Sequence, residues 1–378
     1  MSEVFDIAIL GAGITGLRLA NQLLSVANKP LQVALIGPED VRSQRISFWH
    51  DGRKAQDYER AISGRWSSWD MRHQGHTVTQ TAKCCEYVSI DALVFKQDLK
   101  KQVLTRGVHC HEAKVVQVNH RPSNVEIISE CGNLLAHQII DTRSPIIPVE
   151  CLKQQFLGVE IELVNPHGFK HPLLMDFDIT TISADGVNFI YVIPLTEHRL
   201  FVEATIFSYQ SIAKAKFYSA IDDWLEQHIG SPSDLRRREA EFAVIPMGSV
   251  LPVDVSLVSC GVAGGATRAS TGYAFKGAER QLTRLAAQVL DGRTLQHVEV
   301  YSRRSRLMDA IFLEVTKADM RLLPNLFYAM ARRLNGDDFA NFLSDTGGWR
   351  PSIKTILAAP KWPFIKAAGK LMVSRIWS

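Results

Sequence analysis

The chain has 378 residues, 46% hydrophobic and 22% charged, which suits two folded domains with a helical tail and excludes wholesale disorder. A net charge of +4 fits an anionic cofactor or a membrane surface but is too weak to argue for nucleic acid, which is not expected as a partner. No run reaches the roughly 18 apolar residues of a spanning helix, so an integral membrane protein is not expected either.

The N-terminus reads VFDIAILGAGITGLRLANQLL. An apolar strand from Val4 to Leu10 leads into Gly11-Ala12-Gly13-Ile14-Thr15-Gly16, and Leu17, Ala20 and Leu24 then recur at helical spacing. A second strand follows at 31–37. In this strand–turn–helix–strand setting each glycine has a task. Gly11 allows the tight turn, Gly13 lets a pyrophosphate approach the backbone, and Gly16 packs helix on strand, with the helix N-terminus facing the phosphate charge. The pattern predicts a dinucleotide site. The acid that normally closes the second strand and grips the adenosine ribose is replaced by Gly37; Glu39 or Asp40 is expected to reach back, and modest cofactor affinity is expected.

Next come RISFWHDG (45–52) and ISGRWSSWD (62–70), with three tryptophans in about twenty residues, which break the strand–helix alternation of a pure NAD enzyme. The six cysteines, Cys84, Cys85, Cys110, Cys131, Cys151 and Cys260, form no CxxC pair; with no signal peptide ahead of the first strand they read as reduced thiols of a cytosolic protein. His109-Cys110-His111 lies on a strand whose side chains alternate, so no metal site is expected.

Four strand-like runs, 155–163, 173–179, 187–194 and 199–207, are separated by turn residues and predict an antiparallel sheet. In FVEATIFS (201–208), alternation puts Phe201, Glu203 and Thr205 on one face and Val202, Ala204 and Ile206 on the other. A carboxylate sharing a face with a large aromatic is either solvent-facing on a half-exposed strand or a buried acid with a raised pKa; the pattern leaves both open. Asp176 and Asp178 alternate with Met175, Phe177 and Ile179, either near a cavity or on the polar face of a sheet.

The stretch SLVSCGVAGGATRASTGYAFKGAERQLTRLAAQVL (256–290) reads as a strand, a Gly-rich bend and a long amphipathic helix. A second helix N-terminus aimed back at the first nucleotide fold points to FAD, whose reduced ring backbone donors can stabilise. Beyond residue 300 the chain reads as mostly helical, with Pro324, Pro351, Pro360 and Pro363 as breaks. Its end, TILAAPKWPFIKAAGKLMVSRIWS, mixes Trp, Phe, Ile and Leu with Lys and Arg. That suits a segment lying on lipid or a helix packed on the protein with its lysines outward.

Taken in order, these pieces resemble the flavin-dependent lycopene cyclase family over most of the chain. They are GAGITG (11–16), RISFWHDG (45–52), YVSIDALVF (87–95), IIDTRSP (139–145), QQFLG (154–158), MDFD (175–178), FIYVIPL (189–195), FVEATIFS (201–208), EFAVIPMG (241–248), GVAGGATRASTGYAF (261–275), MDAIFL (308–313) and FLSD (342–345). The resemblance implies an α/β fold: a Rossmann-like FAD-binding domain of the aromatic-hydroxylase type, with an inserted antiparallel β-sheet substrate domain and a helical C-terminal region. The expected divisions are 1–150 and 244–300 for FAD, 151–243 for substrate, and 301–378 for a helical part, a candidate membrane-facing region.

The implied reaction is a ring closure without net redox change that needs reduced FAD, with NAD(P)H a candidate reductant. An acid protonates a terminal alkene of a linear polyene, a neighbouring double bond attacks the cation, and a proton leaves. Such an acid must be protonated at neutral pH, and the cation needs negative charge or aromatic faces in a dry pocket.

Glu203 matches the first acid of the family's FLEET-type motif and is the catalytic candidate, with Asp176 second. The implied cofactor set is Gly11, Ala12, Gly13, Gly16, Glu39, Arg45, Asp141, Gly261, Gly264, Gly265, Ala266, Thr267, Thr271 and Gly272. Trp49, Phe201 and Tyr273 are expected to line the substrate, and Phe48 is a further aromatic candidate; a plain core role is equally open for Trp49, Phe48 and Tyr273. Ala204 stands where the family usually has a second acid, so substrate, proton return or regioselectivity is expected to differ from β-ring-forming members.

A hydrophobic polyene or terpenoid is the expected substrate, and the protein is expected to be cytoplasmic, peripheral to the inner membrane. The rivals are a cyclase of the same family acting on another prenylated or terpenoid substrate, a flavin monooxygenase or halogenase, and a non-catalytic flavin- or lipid-binding protein. Hydroxylases of this fold usually carry Gly-Asp at the second glycine cluster, where Val262 follows Gly261 here.

Overall fold

The computed structural model describes residues 4–27, 29–52, 57–179, 186–230, 235–237 and 241–376. Its first sheet grows from the N-terminal strand Val4–Leu10, which lies parallel between Val33–Ile36 and Gly132–Asp141, with His109–His111 beyond Val33–Ile36. The hairpin of Val115–His120 and Val125–Ser129 adds antiparallel to Gly132–Asp141, and Val258–Ser259 adds parallel to its end. Val4–Leu10 and Val33–Ile36 are almost wholly apolar because both faces of this sheet are covered. On one face pack the helices Ile14–Val26, Ala92–Thr105 and Phe275–Leu290 through Leu19, Phe95 and Leu285. On the other packs the hairpin, through Val115 and Ile127.

The two early helices start differently. Asp91 caps Ala92–Thr105 by accepting from Leu93 N and Val94 N at 2.9 and 3.1 Å. Ile14–Val26 has Gly13 at its N-cap and no capping side chain, so its first N–H groups keep their positive end open.

A second sheet carries Glu241–Met247 on one edge of Leu152–Glu162. It continues through Arg199–Ser208, Val187–Thr196, Leu173–Asp176, Ser68–His73 and His76–Thr81. Its pairs are antiparallel except Leu173–Asp176 with Ser68–His73. One face packs on the helix Lys214–His228 through Val202, Ala204, Ile206, Phe217 and Trp224. The other packs through Phe177, Phe189 and Phe207 on C-terminal helices, whose Phe312, Phe327 and Phe339 join the same core. A small antiparallel sheet of Arg45–His50, Glu86–Asp91 and Ile62–Trp66 stands beside it.

Five helices, Arg303–Ala318, Leu323–Arg333, Gly336–Leu343, Trp349–Ala358 and Lys361–Ile376, make up the C-terminal region. Pro324, Pro351 and Pro363 fall in the first turns of three of them, where a missing N–H costs nothing, and Pro360 separates the last two. Among the described residues, no helix is long and apolar enough to cross a membrane.

Candidate active site

A cavity of about 440 Å³ lies between the start of the helix Ile14–Val26, the glycine-rich bend at 261–275, the C-terminal helices and the open face of the second sheet. Register explains what that face presents. Glu203 stands directly opposite Tyr191 on one neighbouring strand and Gly158 on the other, and Gly158 stands opposite Glu241 one strand further on. Directly paired residues share a face. Tyr191, Glu203, Gly158 and Glu241 therefore form one row across four strands, and Tyr191 and both glutamates line the cavity. At a strand spacing of about 4.8 Å, the two glutamate backbones are roughly 10 Å apart. Between them, a Cβ added at Gly158 would fall 2.2 Å from Phe201 Cζ, so the glycine is what lets that ring lie across the row.

Burial pushes the Glu203 carboxyl up to about 8, against the hydrogen bond that Thr205 Oγ1 donates to its Oε1 at 2.7 Å; the charge of Glu241 pushes the same way as burial. What surface Glu203 keeps faces the cavity. Burial raises Glu241 to about 7, although Arg45 N donates to its Oε2 at 2.8 Å. An acid of the Glu203 kind is mostly protonated at pH 7, and a carboxyl of the Glu241 kind is partly ionised. One cavity thus holds a proton donor and a proton acceptor.

Around them is an aromatic shell. Tyr87 and Tyr191 share a hydrogen bond of 2.9 Å, and burial holds the hydroxyls of Tyr87, Tyr191 and Tyr273 well above their ordinary range, so all three stay neutral. The Trp49 ring packs 4.9 Å from Tyr87 and 5.1 Å from Tyr273, and its buried Nε1 has no hydrogen-bond partner among the described residues. Trp49, Phe201 and Tyr273 all line the cavity. Phe48 does not; it stacks on Phe275 at 4.0 Å in the core behind.

The glycines form a cradle. Gly11 has φ +108°, and a Cβ there would sit 2.6 Å from Thr142 Oγ1; a Cβ at Gly16 would sit 2.0 Å from Gly11 O. One at Gly13 would meet nothing within 4 Å, so the backbone there faces open space at the uncapped helix start. On one side of this turn lies the main cavity, lined by Ile14, Thr15 and Arg18; on the other lies a cavity of about 70 Å³, lined by Ala12, Gly37, Glu39 and Asp40. Two spaces flanking an anion-ready helix start fit a dinucleotide. Glu39 is already engaged by Lys100 Nζ at 2.8 Å. An acid at position 37 is excluded by packing, because a Cβ on Gly37 would lie 2.5 Å from Ala12 N.

The second glycine cluster divides. Gly261, Thr271 and Gly272 line the main cavity, and a Cβ on Gly261 would come within 3.0 Å of Thr15 Oγ1, so the two glycine turns meet there. Gly264, Gly265, Ala266 and Thr267 lie behind that wall. Gly264 N and Ala266 N donate to Gly261 O, and the buried Thr267 Oγ1 has no partner among the described residues. Arg45 borders the cavity, but its guanidinium is held by Glu160 and, at 2.7 Å, by Ser63 Oγ. Asp141 is sealed under Arg143, which donates to it from Nε at 2.9 Å and Nη2 at 2.7 Å, and it reaches neither cavity.

The family model described as lycopene cyclase protein matches residues 6–368. The chain belongs to the lycopene cyclase family. Lycopene beta cyclase of Capsicum annuum is 25% identical over 340 residues, covering 83% of this chain and 65% of its own length. That of Solanum lycopersicum is 25% identical over 296 residues, 71% of this chain and 57% of its own. The chain thus spans under two thirds of these relatives. Among solved structures, a geranylgeranyl bacteriochlorophyll reductase-like protein of Thermoplasma acidophilum superposes with a TM-score of 0.63 at 14% identity, covering 98% of this chain and 99% of its own. A flavoprotein/dehydrogenase of Cytophaga hutchinsonii gives 0.63 at 12%, covering 99% and 100%. These likenesses bear out the fold: the FAD-binding fold of the aromatic-hydroxylase type, with mixed α/β sheets and C-terminal helices.

Within this lycopene cyclase fold, two expectations change. Asp176 faces away from the cavity, which its neighbour Met175 lines instead. The Asp176 carboxylate accepts from Arg72 Nη1 at 3.1 Å and Trp224 Nε1 at 3.0 Å, as a structural ion pair on the helix-covered side. Ala204 likewise points into the core beside Trp224, so an acid there would not reach the cavity through this strand face. The second carboxylate comes from Glu241, which heads the run EFAVIPMG. Alternation within a single strand gave no sign of it, since only the pairing through Gly158 sets it beside Glu203.

Proposed function

We propose that the chain is a carotenoid cyclase that closes a ring at the end of a linear, lycopene-type polyene without net redox change. The observation that carries this is an acid held up to about 8 in an aromatic-lined cavity, in the same row as a second, less raised carboxyl two strands away. Glu203 gives its proton to the terminal alkene carbon and becomes a carboxylate. The neighbouring double bond attacks the tertiary cation, which forms the ring bond and moves the cation to a ring carbon. Glu241 takes the proton from the adjacent carbon, whose C–H pair becomes the ring double bond. One proton enters and one leaves, so product and substrate have the same mass.

Trp49, Tyr191, Tyr273 and Phe201 offer π-faces to the cation and exclude water that would trap it as an alcohol. Gly11–Gly16, Glu39, Gly261, Thr271 and Gly272 would hold FAD, which when bound and reduced, with NAD(P)H as the reductant, would supply negative charge to the site. In anaerobic incubation with dithionite-reduced FAD and lycopene, chromatography should give cyclic isomers of unchanged mass. An oxygenated product, or stoichiometric oxygen uptake in air, would overturn the reading in favour of a monooxygenase.

A further inference from the structure

Beside the reaction cavity lies a second chamber of about 350 Å³, and the two share Ser270, Thr271, Phe327 and Leu343 as a common wall. Its inner lining is Met308, Phe312 and Met330. The one carboxylate in the wall, Asp309, is compensated by Arg268 Nε at 3.2 Å and Ser270 Oγ at 2.5 Å. The outer lining includes Ile356, Leu357 and Ile365, which are 55%, 58% and 60% exposed. The chamber therefore lies between one wall of the Glu203 cavity and the surface at the helices Trp349–Ala358 and Lys361–Ile376.

The surface around this mouth has the character of a bilayer interface. Trp349 and Trp362, each at the start of one of these two helices, are 67% and 77% exposed, with the Arg304 guanidinium 4.8 Å from the Trp349 ring, which adds apolar surface where water would be an unfavourable neighbour. Residues 349–376 contain Arg350, Lys354, Lys361, Lys366, Lys370 and Arg375 and no Asp or Glu. Lys361 and Lys366 have no ion-pair partner among the described residues. Exposed indoles and aliphatics flanked by uncompensated lysines match a surface that carries both hydrocarbon and negative charge.

We infer that this mouth docks on an anionic bilayer and that the chamber is the conduit by which the hydrocarbon substrate passes from lipid to Glu203. The identity of the cargo rests on the cyclase reading; the docking does not. A hydrocarbon that crosses water on its way must expose its apolar surface to solvent, and a conduit opening into lipid removes that step.

The test uses the full chain with vesicles of phosphatidylcholine alone or mixed with phosphatidylglycerol, carrying lycopene. The double variant Trp349→Ser/Trp362→Ser changes exposed side chains that line neither chamber. Its flotation with phosphatidylglycerol vesicles should fall by about ten-fold or more, and its turnover of vesicle-borne lycopene should fall with it. Turnover of detergent-dispersed lycopene should stay within about two-fold. A second variant, Ala368→Trp, fills the chamber and should float normally while losing turnover from vesicles.

Wild-type flotation of the double variant would overturn the docking, and wild-type turnover from vesicles by Ala368→Trp would overturn the conduit. Should the wild type float and the double variant not, while no preparation cyclises lycopene, the docking is supported and the cyclase reading is the one that fails.

Discussion

Replacing Glu203 by Gln removes a proton donor and, with it, a buried titration. The carboxyl rises from its ordinary 4.5 to about 8 in the folded chain, so the native state holds this proton more tightly than the unfolded chain does. Stability from this group is therefore full below about 4.5 and is lost as pH rises to about 8. At 1.36 kcal/mol per pH unit, the loss reaches at most about 3 kcal/mol at pH 7 (7 − 4.5 = 2.5) and about 5 kcal/mol above pH 8 (8 − 4.5 = 3.5). Glutamine escapes that loss but brings an amide whose N–H groups need partners in an apolar site, which costs about 1–3 kcal/mol. Glu203→Gln is thus expected to gain stability with pH: no better than wild type at pH 4, and more stable by a few kcal/mol at pH 9. Urea unfolding at pH 4, 7 and 9 reads this directly. Turnover should drop by at least about 10²–10⁴-fold, the range for losing a positioned general acid, with flavin binding unchanged. A stability difference that stays flat with pH would refute the burial argument, and retained turnover would refute the assignment of the acid.

Further outcomes follow from the same geometry. The wild-type rate should be bell-shaped in pH, with limbs near 7 and 8 belonging to the Glu203–Glu241 pair. Glu241→Gln should lower turnover by about 10²-fold or more and move the alkaline limb down, because a like charge no longer raises Glu203; an unmoved limb would disconnect the two. Gly158→Ala would drive a methyl into the Phe201 ring and should cost about 1–3 kcal/mol in chemical denaturation, whereas a neutral result would mean the ring is free to leave. Gly37→Asp supplies the missing ribose acid but collides with Ala12 N, so fluorescence titration should show weaker FAD binding; tighter binding would show that the strand end can open.

The nucleotide fold was readable from local pattern, because the tasks of Gly11, Gly13 and Gly16 are set by residues a few positions apart. For Glu203, alternation within one strand separated it from Val202 and Ala204 but left open whether it faced solvent or a cavity, and the family resemblance singled it out. What that alternation could not give was the content of the opposite face. Asp176 and Met175 alternate equally well, and only the helix carrying Trp224 decides which one turns inward. Glu241 lay beyond reach for a related reason: its relation to Glu203 is a strand register through Gly158, a long-range fact of tertiary structure. The split of the second glycine cluster, with Gly261 and Thr271 at the cavity and Gly264 behind it, likewise depends on how a turn folds back on its own carbonyl. The hairpin 68–81 is a comparable case, since it leaves its sequence neighbours to join the second sheet.

The Phe201 ring resting on Gly158 has an effect on proton traffic. It lays a carbon edge where a chain of hydroxyls or water would otherwise link the two acids, so it insulates one from the other. Under the proposed cyclisation, the proton that leaves Glu203 stays in the product and a different one reaches Glu241, so the two acids return to their starting states only by exchange with solvent.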